Sequence, residues 1–162
     1  MSVPSVILKS GRLWANRFFP FLVILPFLLI VGCASPIEQA NAYYEKGMAL
    51  LKKGDLEKAQ LEFRNALQIK KNLTTAMYGL ALIAEKKGDW KQMFGLLISV
   101  VEQDPNHLEA QVKLGRLLLA AGQLDKALDA SNKALALNKD DPSVITLHAG
   151  VLLKMGDAKG AI

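Results

Sequence analysis

A glycine followed by Asp or Gln recurs along this chain at a constant spacing of 34 residues. The four pairs are Gly54-Asp55, Gly88-Asp89, Gly122-Gln123 and Gly156-Asp157. A constant period of this length indicates a repeat protein, in which each repeat packs only against its neighbours. In this register the repeats are 40–73, 74–107 and 108–141, and residues 142–162 form an incomplete fourth repeat.

Each repeat is predicted to contain two helices that meet at the glycine. Gly tolerates the left-handed conformation that follows a helix C-terminus, and Asp is a good N-cap for the next helix. Apolar residues fall at helical spacing beside each glycine, as in Leu56, Ala59 and Phe63. The predicted pairs are 40–53 with 56–70, 74–87 with 90–103, and 108–121 with 124–138. A further helix is expected from Pro142, capped by Asp141, and no β-strand is expected after residue 33.

This organisation resembles the tetratricopeptide repeat (TPR). Its eighth position, where a small residue lets two helices approach closely, is occupied by Gly47, Ala81, Gly115 and Ala149. Its twenty-fourth position, usually aromatic, is occupied by Phe63, Leu97 and Ser131. The second repeat departs from the family at Met93 and Val100, where small residues are usual. The resemblance implies an all-α, right-handed superhelical solenoid of antiparallel helix pairs.

The resemblance also implies a protein-binding surface, because the first helix of each TPR lines the concave side of the array. The family's groove positions give an apolar stripe with two cations at one end: Tyr44, Met48, Tyr78, Leu82, Val112, Lys113 and Arg116. We expect this groove to bind an apolar or amphipathic segment of a partner protein. The alternative is that the chain's own leader or a later helix covers it. The positions of the family's carboxylate clamp hold Tyr44, Met48, Gly79, Glu109 and Lys113, so a chaperone-tail ligand is not expected.

The first 33 residues have a different composition from the rest. No acidic residue precedes Glu38, three basic residues come first, and residues 18–32 carry no charge. This is the pattern of a secretory signal. Ile30-Val31-Gly32-Cys33 resembles the bacterial lipobox. The resemblance implies a lipoprotein signal peptide at 1–32, lipidation of Cys33, which is the single cysteine of the chain, and a short leader at 33–39.

A lipoprotein of this kind is anchored in the bacterial cell envelope and faces the periplasm. Ala34 favours the outer over the inner membrane, because Asp at this position tends to retain enterobacterial lipoproteins in the inner membrane. The alternative is an uncleaved anchor, since residues 18–37 are uncharged and about 20 residues suffice to span a bilayer. The chain would then be an inner-membrane protein with periplasmic repeats.

The sequence offers no catalytic residues, no metal site and no cofactor motif. Its two histidines, His107 and His148, lie far apart, and Ser131 has no evident base beside it in sequence. Nucleic acid is not an expected partner, because three of the five net positive charges belong to the signal segment. The basic pairs of the remainder flank turns, where they complement helix dipoles. We therefore expect a non-catalytic scaffold for protein–protein interaction.

The fourth repeat ends soon after its second helix would begin, and the helix from Pro142 is apolar around much of its circumference. We expect further repeats or another domain to follow, so this chain could be the anchoring part of a longer envelope enzyme. Lipoproteins of this appearance serve in exopolysaccharide export with PEP-CTERM sorting, in pilus-secretin assembly and in outer-membrane biogenesis. The phrase QLEFRNALQI in the first repeat resembles the first group.

Overall fold

The computed structural model describes residues 35–156, which form seven α-helices and, within that range, no β-strand. The helices are α1 (Pro36–Lys52), α2 (Leu56–Ile69), α3 (Thr74–Lys87), α4 (Trp90–Gln103), α5 (Leu108–Ala120), α6 (Leu124–Leu137) and α7 (Pro142–Met155). None of these helices is both long and apolar enough to cross a membrane. The predicted signal peptide, the lipidation site Cys33 and residues 157–162 lie outside the described range.

The helix boundaries are set by the recurring glycines. Each adopts the left-handed conformation, with φ of 82° at Gly54, 71° at Gly88 and Gly122, and 88° at Gly156. The residue after the glycine then caps the next helix where it is Asp. The Asp89 side chain accepts a hydrogen bond of 2.9 Å from the backbone N–H of Gln92. The turns and caps predicted from Gly54-Asp55 and Gly88-Asp89 are thus confirmed, as is the turn at Gly156, whereas Asp157 lies outside the described residues.

The first helix begins earlier than residue 40, where its start was predicted. Ser35 is its N-cap, and Pro36 occupies the first turn, where its missing N–H costs no hydrogen bond. Ser35 and Glu38 form a reciprocal capping box: the Glu38 N–H donates to Ser35 Oγ and the Ser35 N–H donates to Glu38 Oε2. Residues 36–39 therefore belong to α1 and not to a separate leader.

The helices pack in chain order, each against the next, and the first helices of neighbouring repeats also meet. α1 contacts α3 directly, and α5 contacts α7. The first helices are thus adjacent in these two pairs, and the Lys113–Glu85 ion pair links α5 to α3. A groove built from the first helices is consistent with this arrangement.

The ring of Phe63 on α2 is the centre of the first core cluster, and it is fully buried. It lies against the backbones of α1 and α3 at two glycines. A Cβ atom at Gly47 would come within 2.6 Å of the ring, and one at Gly79 within 2.5 Å. Gly115 on α5 plays the same part for Leu147 on α7, whose Cδ2 would lie 2.6 Å from an added Cβ. Small residues on the first helices are therefore required for the observed packing.

The matched substitutions Gly79→Ala and Gly95→Ala are expected to change stability in opposite directions. Both glycines lie inside helices, but an added Cβ at Gly95 meets nothing within 4 Å. Gly95→Ala should stabilise the fold by about 0.5–1 kcal/mol, because alanine loses less backbone entropy in a helix. Gly79→Ala should destabilise it by about 1–3 kcal/mol, because the buried Phe63 ring has no space to move into.

Chemical denaturation of both variants beside the wild type, followed by circular dichroism, measures the two shifts. A Gly79→Ala variant at least as stable as Gly95→Ala would contradict the tight packing of Phe63.

Candidate functional site

Tyr44 and Met48 provide the first part of the predicted groove. Both lie on α1, and both are half-buried because they pack against the core cluster that contains Phe63. The rings of Tyr44 and Phe63 have their centroids 6.0 Å apart and are tilted by 37°. Leu82 on α3 is also half-buried and packs against the same cluster. One part of each of these side chains supports the core while another part faces solvent.

Tyr78 on α3 is held by an aromatic contact with His107. The two ring centroids are 4.5 Å apart, with an interplanar angle of 46°. His107 is also the N-cap of α5, and its Nδ1 accepts a hydrogen bond of 3.4 Å from the Ala110 N–H. The histidine thus has a structural role that joins the start of α5 to the groove. The sequence did not indicate the contact of His107 with Tyr78.

The electrostatic environment of Tyr78 favours its neutral phenol. Burial raises its pKa to about 12, and the charges of Glu109, Glu85 and Tyr44 add to the rise in that order. Burial likewise raises the pKa of Tyr44, with a further contribution from Glu45. Tyr44, Tyr78, Glu85 and Glu109 therefore share one neighbourhood. Its acidic component was not part of the predicted stripe.

Lys113 is not a free cation of the groove. Its Nζ lies 2.7 Å from Glu85 Oε1 and 2.6 Å from Glu85 Oε2, so the two residues form an ion pair between α5 and α3. Lys113 was expected to offer its charge to a partner, and the structure shows that charge already neutralised. Arg116, one turn further along α5, is exposed and has no ion-pair partner among residues 35–156.

Val112 contributes little surface to the groove. Its exposed fraction is 5%. It belongs to a second core cluster, which is formed by buried residues of α3, α4, α5, α6 and α7. It follows the core period of α5 instead of facing solvent. The members of the predicted stripe that remain accessible are Tyr44, Met48, Tyr78, Leu82 and Arg116.

Ser131 has a histidine neighbour that the sequence analysis did not find. His148 Nδ1 lies 3.0 Å from Ser131 Oγ, although the residues are 17 positions apart. The Ser131 hydroxyl donates to the Leu128 carbonyl oxygen at 2.9 Å. Because a hydroxyl has a single proton, Ser131 Oγ then accepts from His148 Nδ1–H. Ser131 is fully buried. The two contacts of Ser131 Oγ, with the Leu128 carbonyl oxygen and with His148 Nδ1, satisfy this buried hydroxyl within the core.

Residues 35–156 contain no group of three or more His, Cys, Asp or Glu side chains placed to hold a metal ion.

Three family models, each described as a tetratricopeptide repeat, match residues 40–73, 75–107 and 94–151. Together they cover more than half of the chain. The chain belongs to the tetratricopeptide repeat family. TPR proteins mediate protein–protein interaction, and the family is generally non-catalytic, although some of its relatives are associated with enzymes.

Known proteins resemble this TPR chain in sequence and in structure. Cellulose synthase operon protein C of Pseudomonas fluorescens is 30% identical over 108 residues, which are 67% of this chain and 8% of that protein. MamA of Desulfovibrio magneticus RS-1 is 25% identical with a TM-score of 0.64, over 75% of this chain and 69% of that structure. The curated relatives are much longer, since the chain spans between 8% and 25% of their length.

A peptide-bound TPR shares the fold. The first TPR of Spaghetti (RPAP3), bound to an HSP90 peptide, has a TM-score of 0.68 and 14% identity, over 77% of this chain and 99% of that one. In the present chain, the clamp positions include Gly79, which is packed against Phe63, and Lys113, which is paired with Glu85. Gly79 carries no charge and the charge of Lys113 is already paired, so neither position offers a free cation to a peptide carboxylate.

The raised pKa of Tyr78 predicts that the fold loses stability in strong alkali. An unfolded tyrosine ionises near pH 10.0, whereas folded Tyr78 ionises near pH 12. The stabilisation is therefore complete below pH 10 and is lost as the pH rises towards 12. We expect the melting temperature of the wild type to fall more steeply over this interval than that of Tyr78→Phe.

An absorbance titration of the phenolates identifies the group that is responsible. The last phenol to ionise should be missing in Tyr78→Phe and retained in Tyr43→Phe. Equal alkaline melting profiles for wild type and Tyr78→Phe would contradict the assignment.

Proposed function

We propose that this TPR protein is a non-catalytic scaffold, anchored in the bacterial cell envelope, whose groove binds an apolar or amphipathic segment of a partner protein. The observation that carries the proposal is the accessible surface of Tyr44, Met48, Tyr78 and Leu82 on two neighbouring first helices. Each is half-buried, so each is held by the core and still presents apolar surface. Tyrosine and methionine are frequent in the binding surfaces of proteins.

The charges beside the groove differ along its length. The Lys113–Glu85 pair neutralises both of its members, which leaves Glu109 near Tyr78 and Glu45 near Tyr44 as acidic neighbours of the stripe. Arg116 is the remaining exposed cation at one end. An amphipathic segment with an acidic residue at the corresponding end would pair with Arg116 while its apolar face covers the stripe.

The two tyrosines are suited to act as anchors because their rings are already positioned. Tyr78 lies against His107 and Tyr44 lies near Phe63, so little side-chain entropy remains to be lost on binding. Their neutral hydroxyl groups can form hydrogen bonds at the edge of an apolar contact. This combination supports binding of a protein segment over binding of a small polar ligand.

The membrane anchor is proposed at Cys33. Ser35 caps α1, so Ala34 and Ser35 are the residues between the proposed lipid attachment and the first helical residue. An anchor with two or three acyl chains is effectively permanent, since each buried methylene contributes about 0.8 kcal/mol. The groove would then work at the membrane surface, and Ala34 favours the outer membrane. The similarity to a cellulose synthase operon protein supports a role in the assembly of a polysaccharide-export or other export complex. Assembly of a pilus complex is the related alternative.

Removing the two anchors together should weaken partner binding. Tyr44→Ala with Tyr78→Ala is expected to reduce affinity at least tenfold, since central aromatic residues of an interface contribute roughly 2 kcal/mol or more each. The matched control is Tyr43→Ala with Trp90→Ala, which removes two exposed aromatic rings outside the stripe. A photo-reactive residue at Leu82 identifies the bound protein in envelope preparations, and titration of its purified segment gives the affinities. Equal affinities of both double variants would refute the groove.

The anchor is tested by metabolic labelling with an alkyne palmitate analogue. The full chain expressed in a bacterium should incorporate label, and Cys33→Ser should lose all of it while retaining the apolar segment before residue 33. Because the chain has a single cysteine, no second thiol complicates the result. Absence of label on the wild type would instead support the uncleaved inner-membrane anchor, without bearing on the groove.

A further inference from the structure

An open depression lined by six apolar and four polar residues lies away from the groove, between the second helices α4 and α6. Its volume is about 210 Å³. One wall is the stripe Phe94, Ile98 and Val101 of α4, and the floor includes the buried Leu114 and Leu118 of α5. The wall residues are half-buried, so they are accessible from the opening. Nothing in the function of the groove uses this pocket.

A polar group lies among the apolar residues of the floor. Gln111 has an exposed fraction of 3%, and its side chain lines the pocket. Its Nε2 donates to the Pro105 carbonyl oxygen at 3.2 Å, whereas no donor within residues 35–156 reaches its Oε1. That oxygen is not fully enclosed, since no buried side-chain N or O atom of the described range lacks a partner. Gln111 Oε1 is therefore an acceptor with some solvent accessibility, on a residue that lines the pocket.

The rim of the pocket carries a net positive charge. Lys126, Asp129 and Lys133 of α6 are exposed at its edge. Lys133 Nζ lies 2.7 Å from Asp129 Oδ2, so these two charges cancel. Lys126 has no ion-pair partner among the described residues. The rim thus favours a carboxylate close to whatever fills the apolar interior.

A small residue of α6 forms part of the pocket wall. Ala130 lines it, and the corresponding residues of the two preceding second helices are Leu96 and Glu62. Ala130 also packs close to Gly115, with 3.5 Å between its Cβ and an ideal Cβ at that glycine. The short side chain leaves the space opposite Phe94 and Ile98 unfilled.

We propose that this pocket binds a single leucine or phenylalanine side chain from an acidic segment of a partner protein. A cavity of about 150 Å³ is enough to bind benzene, so the volume suits one such side chain. Pockets for drug-sized ligands are usually about 300–1,000 Å³, so a larger small molecule fits poorly. The neighbouring acidic residue pairs with Lys126, and a backbone N–H of the segment donates to Gln111 Oε1.

The apolar segment 18–32 of this chain does not match this chemistry. Residues 18–32 are preceded by Lys9, Arg12 and Arg17, and no acidic residue occurs before Glu38. This segment and the basic residues before it would bring positive charge to a rim that is already positive. The occupant is therefore an acidic segment of another protein, and the pocket gives the scaffold a second attachment surface that is separate from the groove.

Binding of a designed probe to the full chain in detergent micelles tests the proposal. The probe is a labelled peptide of Glu and Ala with one central Phe, and fluorescence anisotropy gives its affinity. Lys126→Glu should weaken binding about fivefold or more by reversing the rim charge. Lys91→Glu, an exposed lysine of α4 that does not line the pocket, is the matched control and should bind like the wild type. Ala130→Leu fills the space and should abolish binding.

The proposal does not depend on Ala130→Leu folding correctly, because Lys126 is exposed and its substitution does not disturb the core. A probe with Ala in place of Phe should not bind. The proposal is overturned if the Phe probe does not bind, if Lys126→Glu and Lys91→Glu bind it equally, or if Tyr44→Ala with Tyr78→Ala abolishes its binding. It is also overturned if octanoate displaces the probe as strongly as unlabelled probe does, since the pocket would then be a site for small amphiphiles.

Discussion

The contact of Phe63 with two glycine backbones determines the distance between the first helices. The ring fills the space between α1, α2 and α3, and neither Gly47 nor Gly79 leaves room for a methyl group. Tyr44, Met48 and Leu82 pack against the same cluster. The position of the apolar stripe therefore follows from this contact. Further along the chain, Gly115 of α5 packs closely against Leu147, which lies on the first helix α7 and not on a second helix.

Polar side chains complete the packing where the repeat departs from its apolar pattern. Ser131 occupies the position that Phe63 and Leu97 hold in the other repeats, and all three are fully buried. Its hydroxyl is satisfied by Leu128 and by His148, so the smaller polar side chain is accommodated without an unpaired group. The contact between Ser131 and His148 thus belongs to the packing of the core.

Local features of the chain were predictable from the sequence, and features that join distant residues were not. The Gly-Asp pairs predicted the turns because a left-handed glycine and an acidic N-cap act within a few residues. The Ser35–Glu38 capping box was also readable from its spacing, but the adjacent Cys33 led to its interpretation as a leader. The Lys113–Glu85 pair, the burial of Val112 and the pocket beside Ala130 depend on how successive helices rotate against each other. No local pattern determines that rotation.

The tight packing around Phe63 has a consequence for the partner binding that we propose for the groove. A change in the spacing of α1 and α3 would require the buried ring to leave its position between two backbones. The first half of the groove is therefore a preorganised template and not an adaptable clamp. The conformational cost of complex formation falls mainly on the partner segment, so differences in affinity among partners should follow their intrinsic tendency to adopt the bound shape.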